Sequence, residues 1–99
     1  MTKREQEILG KSVEILAREL KPNRIYLFGS RAKGKEQPGS DFDFAVDVVP
    51  PDVTIKRQTK EMLEAVAGLY SIDVVFLDEV DPKFKQLIFE TAKVVYEQK

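Results

Sequence analysis

Residues 24–48 read RIYLFGSRAKGKEQPGSDFDFAVDV, and this stretch decides the fold. Its first five residues are an apolar run typical of a strand, which ends at Gly29. From Asp41 to Val48 polar and apolar residues alternate with period two, so this segment predicts a second strand with one apolar face. The segment from Arg31 to Asp41 contains Gly34, Pro38 and Gly39, which indicate a turn or loop.

One helix is predicted before this stretch and one after it. Thr2 followed by Glu5 fits a capping box, and the helix that it opens should end at Lys21-Pro22, because the residue before a proline is disfavoured in the α region. After the stretch, Asp52 can cap a second helix. The apolar stripe of that helix, which we interpret as core, comprises Ile55, Thr59, Met62, Val66 and Leu69.

The last third of the chain predicts strand, helix and strand. Residues 72–77 form an apolar run interrupted only by Asp73, Asp81-Pro82 resembles a helix start, and residues 93–96 favour a terminal strand. The order of elements predicts one α+β domain over residues 1–99, in which helices pack on a mixed sheet of about four strands.

Composition excludes several classes of chemistry. The 99 residues include 16 Lys and Arg against 17 Asp and Glu, a net charge of -1 that argues against general binding to nucleic acid. Because the chain has no Cys and no His, any metal must be held by oxygen ligands, which favours Mg²⁺, Mn²⁺ or Ca²⁺. With no apolar run approaching about 18 residues, we expect a cytoplasmic protein with no membrane segment.

A glycine-serine pair follows the first strand. Gly29 has no Cβ, so it permits an unusual backbone conformation and lets a ligand approach closely. Ser30 can cap a following turn of helix, whose free N–H groups suit a phosphate. Of the nearby cations we favour Arg31 as a phosphate contact, whereas we interpret Lys33 and Lys35 as solvated surface.

Three aspartates are the candidate metal ligands. Asp41 and Asp43 are two apart on a predicted strand, so both should point to one face with their Cα atoms roughly 6.5–7 Å apart. Asp73 interrupts an apolar run, where a charge is costly unless it is paired or bound to a metal. If its strand neighbours that of Asp43, Asp73 completes a three-carboxylate site and could also accept a proton from an attacking hydroxyl.

Each feature also has a plainer interpretation. Gly29-Ser30 could be an ordinary turn, Asp41 and Asp43 the solvated face of an edge strand, and Asp73 an exposed residue at a strand start. The combination of a glycine-serine pair, ten residues and an Asp-x-Asp is much less common than its parts, and it favours a phosphate-and-metal site.

The chain resembles the minimal nucleotidyltransferases of the DNA-polymerase-β-type superfamily. That family is defined by a hydrophobic residue, Gly-Ser, a spacer, Asp-x-Asp and a third acid on a later strand, which Phe28-Gly29-Ser30, Asp41-Phe42-Asp43 and Asp73 match. The resemblance implies a polymerase-β-like two-layer α/β sandwich. It also implies that the three aspartates are catalytic and bind one or two Mg²⁺ ions, or Mn²⁺, while Gly29, Ser30 and Arg31 bind the nucleotide.

Many small members of this family are antitoxins whose partner is a helical ribonuclease of the HEPN class. In such pairs the transferase can move AMP from ATP to a tyrosine of the toxin. The resemblance therefore implies a protein adenylyltransferase that uses ATP or another nucleoside triphosphate. Because the sheet and the metal site use nearly all 99 residues, another protein or a second copy of this chain should supply the acceptor surface.

Two other functions stay open at this point. The chain could be a non-catalytic module that neutralises its partner by contact alone. It could also be a small-molecule nucleotidyltransferase of the aminoglycoside-modifying kind, although little chain remains to build an acceptor pocket.

Overall fold

The first helix begins at the predicted capping box. In the computed structural model, which describes residues 1–37 and 39–99, helix α1 spans Lys3–Leu20. The Glu5 N–H donates to the Thr2 hydroxyl at 3.1 Å, and the Thr2 N–H donates to the Glu5 carboxylate at 2.8 Å. The helix ends before Pro22, as predicted. Pro38, the proline of the predicted loop, lies outside the described residues.

The other elements follow in the predicted order. They are β1 (Arg24–Phe28), α2 (Ser30–Lys33), β2 (Phe42–Asp47), α3 (Val53–Ala67), β3 (Ile72–Phe76), a 3-10 turn (Leu77–Glu79), α4 (Pro82–Thr91) and β4 (Lys93–Glu97). Strand β2 begins one residue later than predicted, because its pairing with the neighbouring strand starts where the Phe42 N–H donates to the Ser71 carbonyl. Asp41 therefore directly precedes the strand.

The sheet has the strand order β3-β2-β1-β4. Strand β1 is antiparallel to both β2 and β4, whereas β2 and β3 are parallel. A parallel pair needs a long crossover, which α3 provides between β2 and β3. The prediction of an α+β fold with a mixed four-stranded sheet is confirmed.

Helices α1 and α3 cover one face of the sheet and form the main core with it. The largest fully buried side chains of this layer are Ile8, Leu16, Ile25, Phe42, Phe44 and Leu63. Burying each such side chain contributes about 1.5–3 kcal/mol relative to leaving it exposed. This layer is therefore the principal source of stability, and it fixes the position of β2.

The predicted core stripe of α3 is partly wrong. Thr59 of the predicted stripe is buried and Val66 is partly buried against the core, but the other inward-facing residues of the helix are Leu63 and Ala67, which follow Thr59 at a spacing of four residues. Met62 is rotated about 100° away from Leu63 and lies at the exposed rim, where its sulfur contacts Arg18 of α1, and Leu69 follows the end of the helix. The stripe residues that remain exposed are Ile55, Met62 and Leu69.

The opposite face of the sheet is only partly covered. There Ile88 of α4 packs in a small cluster with Tyr26, Ala45 and Leu77. Helix α4 leaves large side chains exposed beside this cluster, namely Phe84, Leu87 and Phe89. Within the described residues, no helix is both long and apolar enough to cross a membrane.

Candidate functional site

The partly covered face carries a row of side chains across three strands. Asp43 pairs with Phe28 on the antiparallel side and with Asp73 on the parallel side. Residues in register on neighbouring strands point to the same face, and such strands lie about 4.8 Å apart. The two carboxylates therefore project side by side, although 30 residues separate them in the sequence.

Asp43 lies in an unfavourable electrostatic environment. Burial raises the pKa of its carboxyl group above the ordinary value, and the charges of Asp73 and Asp41 raise this pKa further. Asp43 is half-buried, whereas Asp41 and Asp73 are exposed. The three aspartates thus concentrate negative charge on a surface that a ligand can reach.

Gly29 brings its backbone directly against this charge. Its φ of 80° and ψ of -155° lie in a region that is essentially restricted to glycine. A Cβ at this position would lie 2.6 Å from the Asp43 Oδ2 atom. Glycine is therefore required here both by backbone conformation and by space.

Ser30 has a different role in the helix from the one predicted. It is the first residue of α2, and Gly29 occupies the N-cap position without any side-chain cap. The prediction of a Ser30 cap is wrong, because the turn out of β1 is completed by the unusual backbone of Gly29. Ser30 is half-buried and directly follows Gly29, whose backbone lies against Asp43.

Thr91 supports the same corner from a distant part of the chain. The Gly29 N–H donates to the Thr91 hydroxyl at 3.2 Å, which connects the end of α4 to the start of α2. Sequence reasoning missed this contact, because a threonine 62 residues away carries no local signal of its partner.

Arg31 is placed inside the fold. Its side chain is 0% exposed, and its Nη2 lies 2.8 Å from the Glu5 Oε2 atom. The same guanidinium donates to the Ser40 carbonyl and stacks over the ring of Phe42. This placement does not support the predicted phosphate contact, because the charge of Arg31 is already matched by Glu5 and is closed off from solvent.

A divalent cation fits the chemistry of the three aspartates. Carboxylate oxygens are the donors that hard cations prefer, and a bound cation would relieve the repulsion that acts on Asp43. Across residues 1–37 and 39–99 no three acidic or other ligating side chains are yet gathered closely enough to form a complete ligand set. Full coordination of an ion would therefore require Asp41 and Asp73, which are exposed, to adjust their side chains.

Solved structures with the same fold include several toxin–antitoxin complexes. One contains AMP-PNP and shows 24% identity and a TM-score of 0.77, with 91% of this chain and 73% of that chain covered. A mutant of the MntA–HpeT pair shows 25% identity and a TM-score of 0.74, covering 92% and 73%. A tri-AMPylated HEPN toxin of Shewanella oneidensis in complex with an MNT antitoxin gives 21% identity and a TM-score of 0.72, covering 96% and 73%.

Comparison with curated protein sequences gives no match. The model of the family described as "Polymerase beta, Nucleotidyltransferase" matches residues 11–99. The matched range includes Gly29, Ser30 and all three aspartates. This chain therefore belongs to the polymerase β nucleotidyltransferase family.

Proposed function

We propose that the chain is a metal-dependent nucleotidyltransferase that moves AMP from ATP to a hydroxyl group on a protein partner. The observation that carries the proposal is the alignment of Asp43 with Asp73, with Asp41 close by and the Gly29 backbone against Asp43. The relatives add support, since one similar structure contains AMP-PNP and another contains a toxin that carries AMP.

In this proposal Asp41, Asp43 and Asp73 hold one or two Mg²⁺ ions, which Mn²⁺ can replace. When bound, the metal neutralises charge on the attacking and leaving oxygens. Gly29 leaves room for the triphosphate because it has no Cβ, and the Ser30 hydroxyl donates to a phosphate oxygen.

The transfer itself is an in-line displacement. The acceptor oxygen forms a bond to the α-phosphorus of ATP, and the bond from that phosphorus to the bridging oxygen breaks. Pyrophosphate leaves with the electron pair of that bond. Asp73 is exposed beside Asp43 and accepts the proton of the acceptor hydroxyl.

The acceptor is proposed to be a tyrosine of a HEPN-type toxin, for which this chain acts as antitoxin. Helix α4 packs on the same face of the sheet as the aspartates, and the Phe84 ring lies 6.4 Å from that of Phe28, which precedes Gly29. Phe84 and Leu87 are exposed and three residues apart on the helix, so they are neighbours on its surface. An exposed apolar patch of this kind marks a protein interaction site. The exposed residues of α4 therefore offer a docking surface next to the phosphate corner.

Labelled ATP tests the proposal. The chain is incubated with ATP carrying a labelled α-phosphate, Mg²⁺ and the toxin encoded by the neighbouring reading frame. We expect label on a toxin tyrosine with the wild-type chain and with Asp78→Asn, an exposed control outside the site, but none with Asp43→Asn. If the wild-type chain binds both ATP and the toxin but transfers no label to the toxin, the proposal is contradicted.

A second candidate function is neutralisation of the toxin by contact alone. The exposed surface of α4 favours this function, because that surface does not include the aspartates and could bind a partner without them. Asp41→Ala separates the two functions. The variant should still bind the toxin in either case, but it should no longer neutralise the toxin if transfer is required. Full activity of the isolated chain on a small hydroxylated acceptor would instead support a small-molecule nucleotidyltransferase.

A further inference from the structure

We propose that Arg31 is a positioning residue that fixes Asp41 by holding both of its neighbours. Its Nε and Nη2 atoms donate to the Ser40 carbonyl at 3.1 and 2.7 Å. Its Cζ atom lies 4.0 Å from the centroid of the Phe42 ring. One planar group therefore contacts the residue before Asp41 and the residue after it. The inference rests on the proposed function, because it concerns how Asp41 is placed for a cation.

Asp41 needs such support because of where it lies. It is exposed and precedes β2, so the pairing of the strands does not fix its backbone. The loop before it includes Gly39, whose φ of 83° lies in the left-handed region. Arg31 ties the end of this loop to α2, the helix that begins beside Gly29.

Glu5 holds Arg31 in its position. The carboxylate accepts from the Thr2 N–H through Oε1 and faces the Arg31 guanidinium through Oε2 at 2.8 Å. Both side chains are buried, at 0% exposure for Arg31 and 6% for Glu5. If either partner were removed, water could not easily solvate the charge that remains. The start of α1 is thereby connected to the start of β2 through Arg31.

Lysine cannot reproduce these contacts. Arginine presents a rigid planar fork that can bond to the Ser40 carbonyl through two nitrogens while its face lies on Phe42. The ammonium of lysine keeps the charge beside Glu5 but loses the second bond and the stacked plane. Arg31→Lys therefore weakens the positioning contacts and preserves the charge.

The test measures Mn²⁺ binding rather than activity. Free Mn²⁺ is followed by electron paramagnetic resonance for the wild type, Arg31→Lys, Asp41→Asn, the double variant of these two, and Asp43→Asn. We expect Arg31→Lys to weaken Mn²⁺ binding at least about fivefold in the wild-type background and less than about twofold in the Asp41→Asn background, since Arg31 acts through Asp41. Arg24→Lys, an exposed arginine of β1, serves as the control and should bind as the wild type does.

The outcomes separate this inference from the proposed function. The positioning role is overturned if Arg31→Lys weakens Mn²⁺ binding equally in both backgrounds, or does not weaken it in the wild type. The proposed function is still supported in that case, provided that Asp43→Asn weakens Mn²⁺ binding. A wild-type chain that does not bind Mn²⁺ would contradict the proposed function, and this inference with it. If Arg31→Lys does not fold, Glu5→Gln takes its place in the same cycle, with Glu7→Gln on the exposed face of α1 as its control.

Discussion

Asp43 and Asp73 occupy the same register position on two parallel strands, so their carboxylates leave the sheet side by side. This arrangement results from the crossover through α3, which returns the chain to the edge of the sheet next to β2. The repulsion between the two groups raises the pKa of Asp43, in addition to the larger effect of its burial. Without a cation, the repulsion between the two carboxylates destabilises the fold. The register of the two strands therefore creates a site that favours a bound cation.

Replacing Gly29 should affect both stability and nucleotide binding. In Gly29→Ala the new Cβ would lie 2.6 Å from Asp43 Oδ2, and the backbone region costs roughly 1–3 kcal/mol for other residues. Gly34→Ala is the matched control, because its φ is also positive, at 72°, but no atom lies within 4 Å of its Cβ. Urea denaturation should show a lower stability for Gly29→Ala. ATP titration should show weaker ATP binding for Gly29→Ala but not for Gly34→Ala. Equal ATP affinity in the two variants would contradict the close approach at Gly29.

Removing the charge of Asp43 should stabilise the metal-free protein. In the presence of a chelator at neutral pH, Asp43→Asn should raise the free energy of unfolding by up to about 1 kcal/mol, a modest gain because solvent screens a half-buried group. Mg²⁺ should then stabilise the wild type and leave the variant unchanged, as thermal unfolding can measure. A loss of stability in the chelated variant would argue against repulsion at this site.

Acid should weaken the contacts of Glu5. The hydrogen bond from the Thr2 backbone is the largest cause, and with the Thr2 side chain and Arg31 it lowers the pKa of Glu5 from 4.5 to about 2. Because the folded-state pKa is the lower one, the stabilisation is fully present above pH 4.5 and is lost as the pH falls towards 2. The stability difference between the wild type and Glu5→Gln should therefore shrink across this window. A difference that does not change with pH would show that the carboxylate charge contributes nothing.

The exposed surface of α4 should bind the partner. Leu87 is 59% exposed, so Leu87→Gln should leave the melting temperature nearly unchanged. It should weaken toxin binding at least about tenfold, because burying the glutamine amide against the partner without a hydrogen bond costs about 1–3 kcal/mol. Leu69→Gln alters a leucine that is fully exposed beyond α3, in the other helix layer, and should bind the toxin normally. Co-purification and calorimetry can compare the two. Normal toxin binding by Leu87→Gln would place the partner elsewhere.

The local signals of the sequence were sufficient for the fold. Thr2 with Glu5 marked the start of α1, Pro22 its end, and the alternation after Asp41 marked β2. These features act through neighbouring residues, so they can be interpreted without knowledge of the tertiary structure. The side-by-side position of Asp73 was conditional on the order of strands, which the sequence indicates only through the length of the crossover.

Contacts between distant segments could not be predicted. The sequence suggested that Arg31 binds phosphate, because a cation after Gly29-Ser30 suits that role, but the fold pairs it with Glu5, 26 residues earlier. Thr91 is likewise recognised only once α4 is placed against Gly29. In each case the partner is selected by packing, for which a single sequence has no local pattern.

Calorimetric titration of ATP in the presence of Mg²⁺ tests the central claim most directly. The account predicts that the wild type binds ATP, that EDTA abolishes this binding, and that Asp43→Asn abolishes it while the protein stays folded. ATP binding that persists in EDTA, or that is unchanged in Asp43→Asn, would contradict the claim that the aspartates beside Gly29 hold a cation and a nucleotide together.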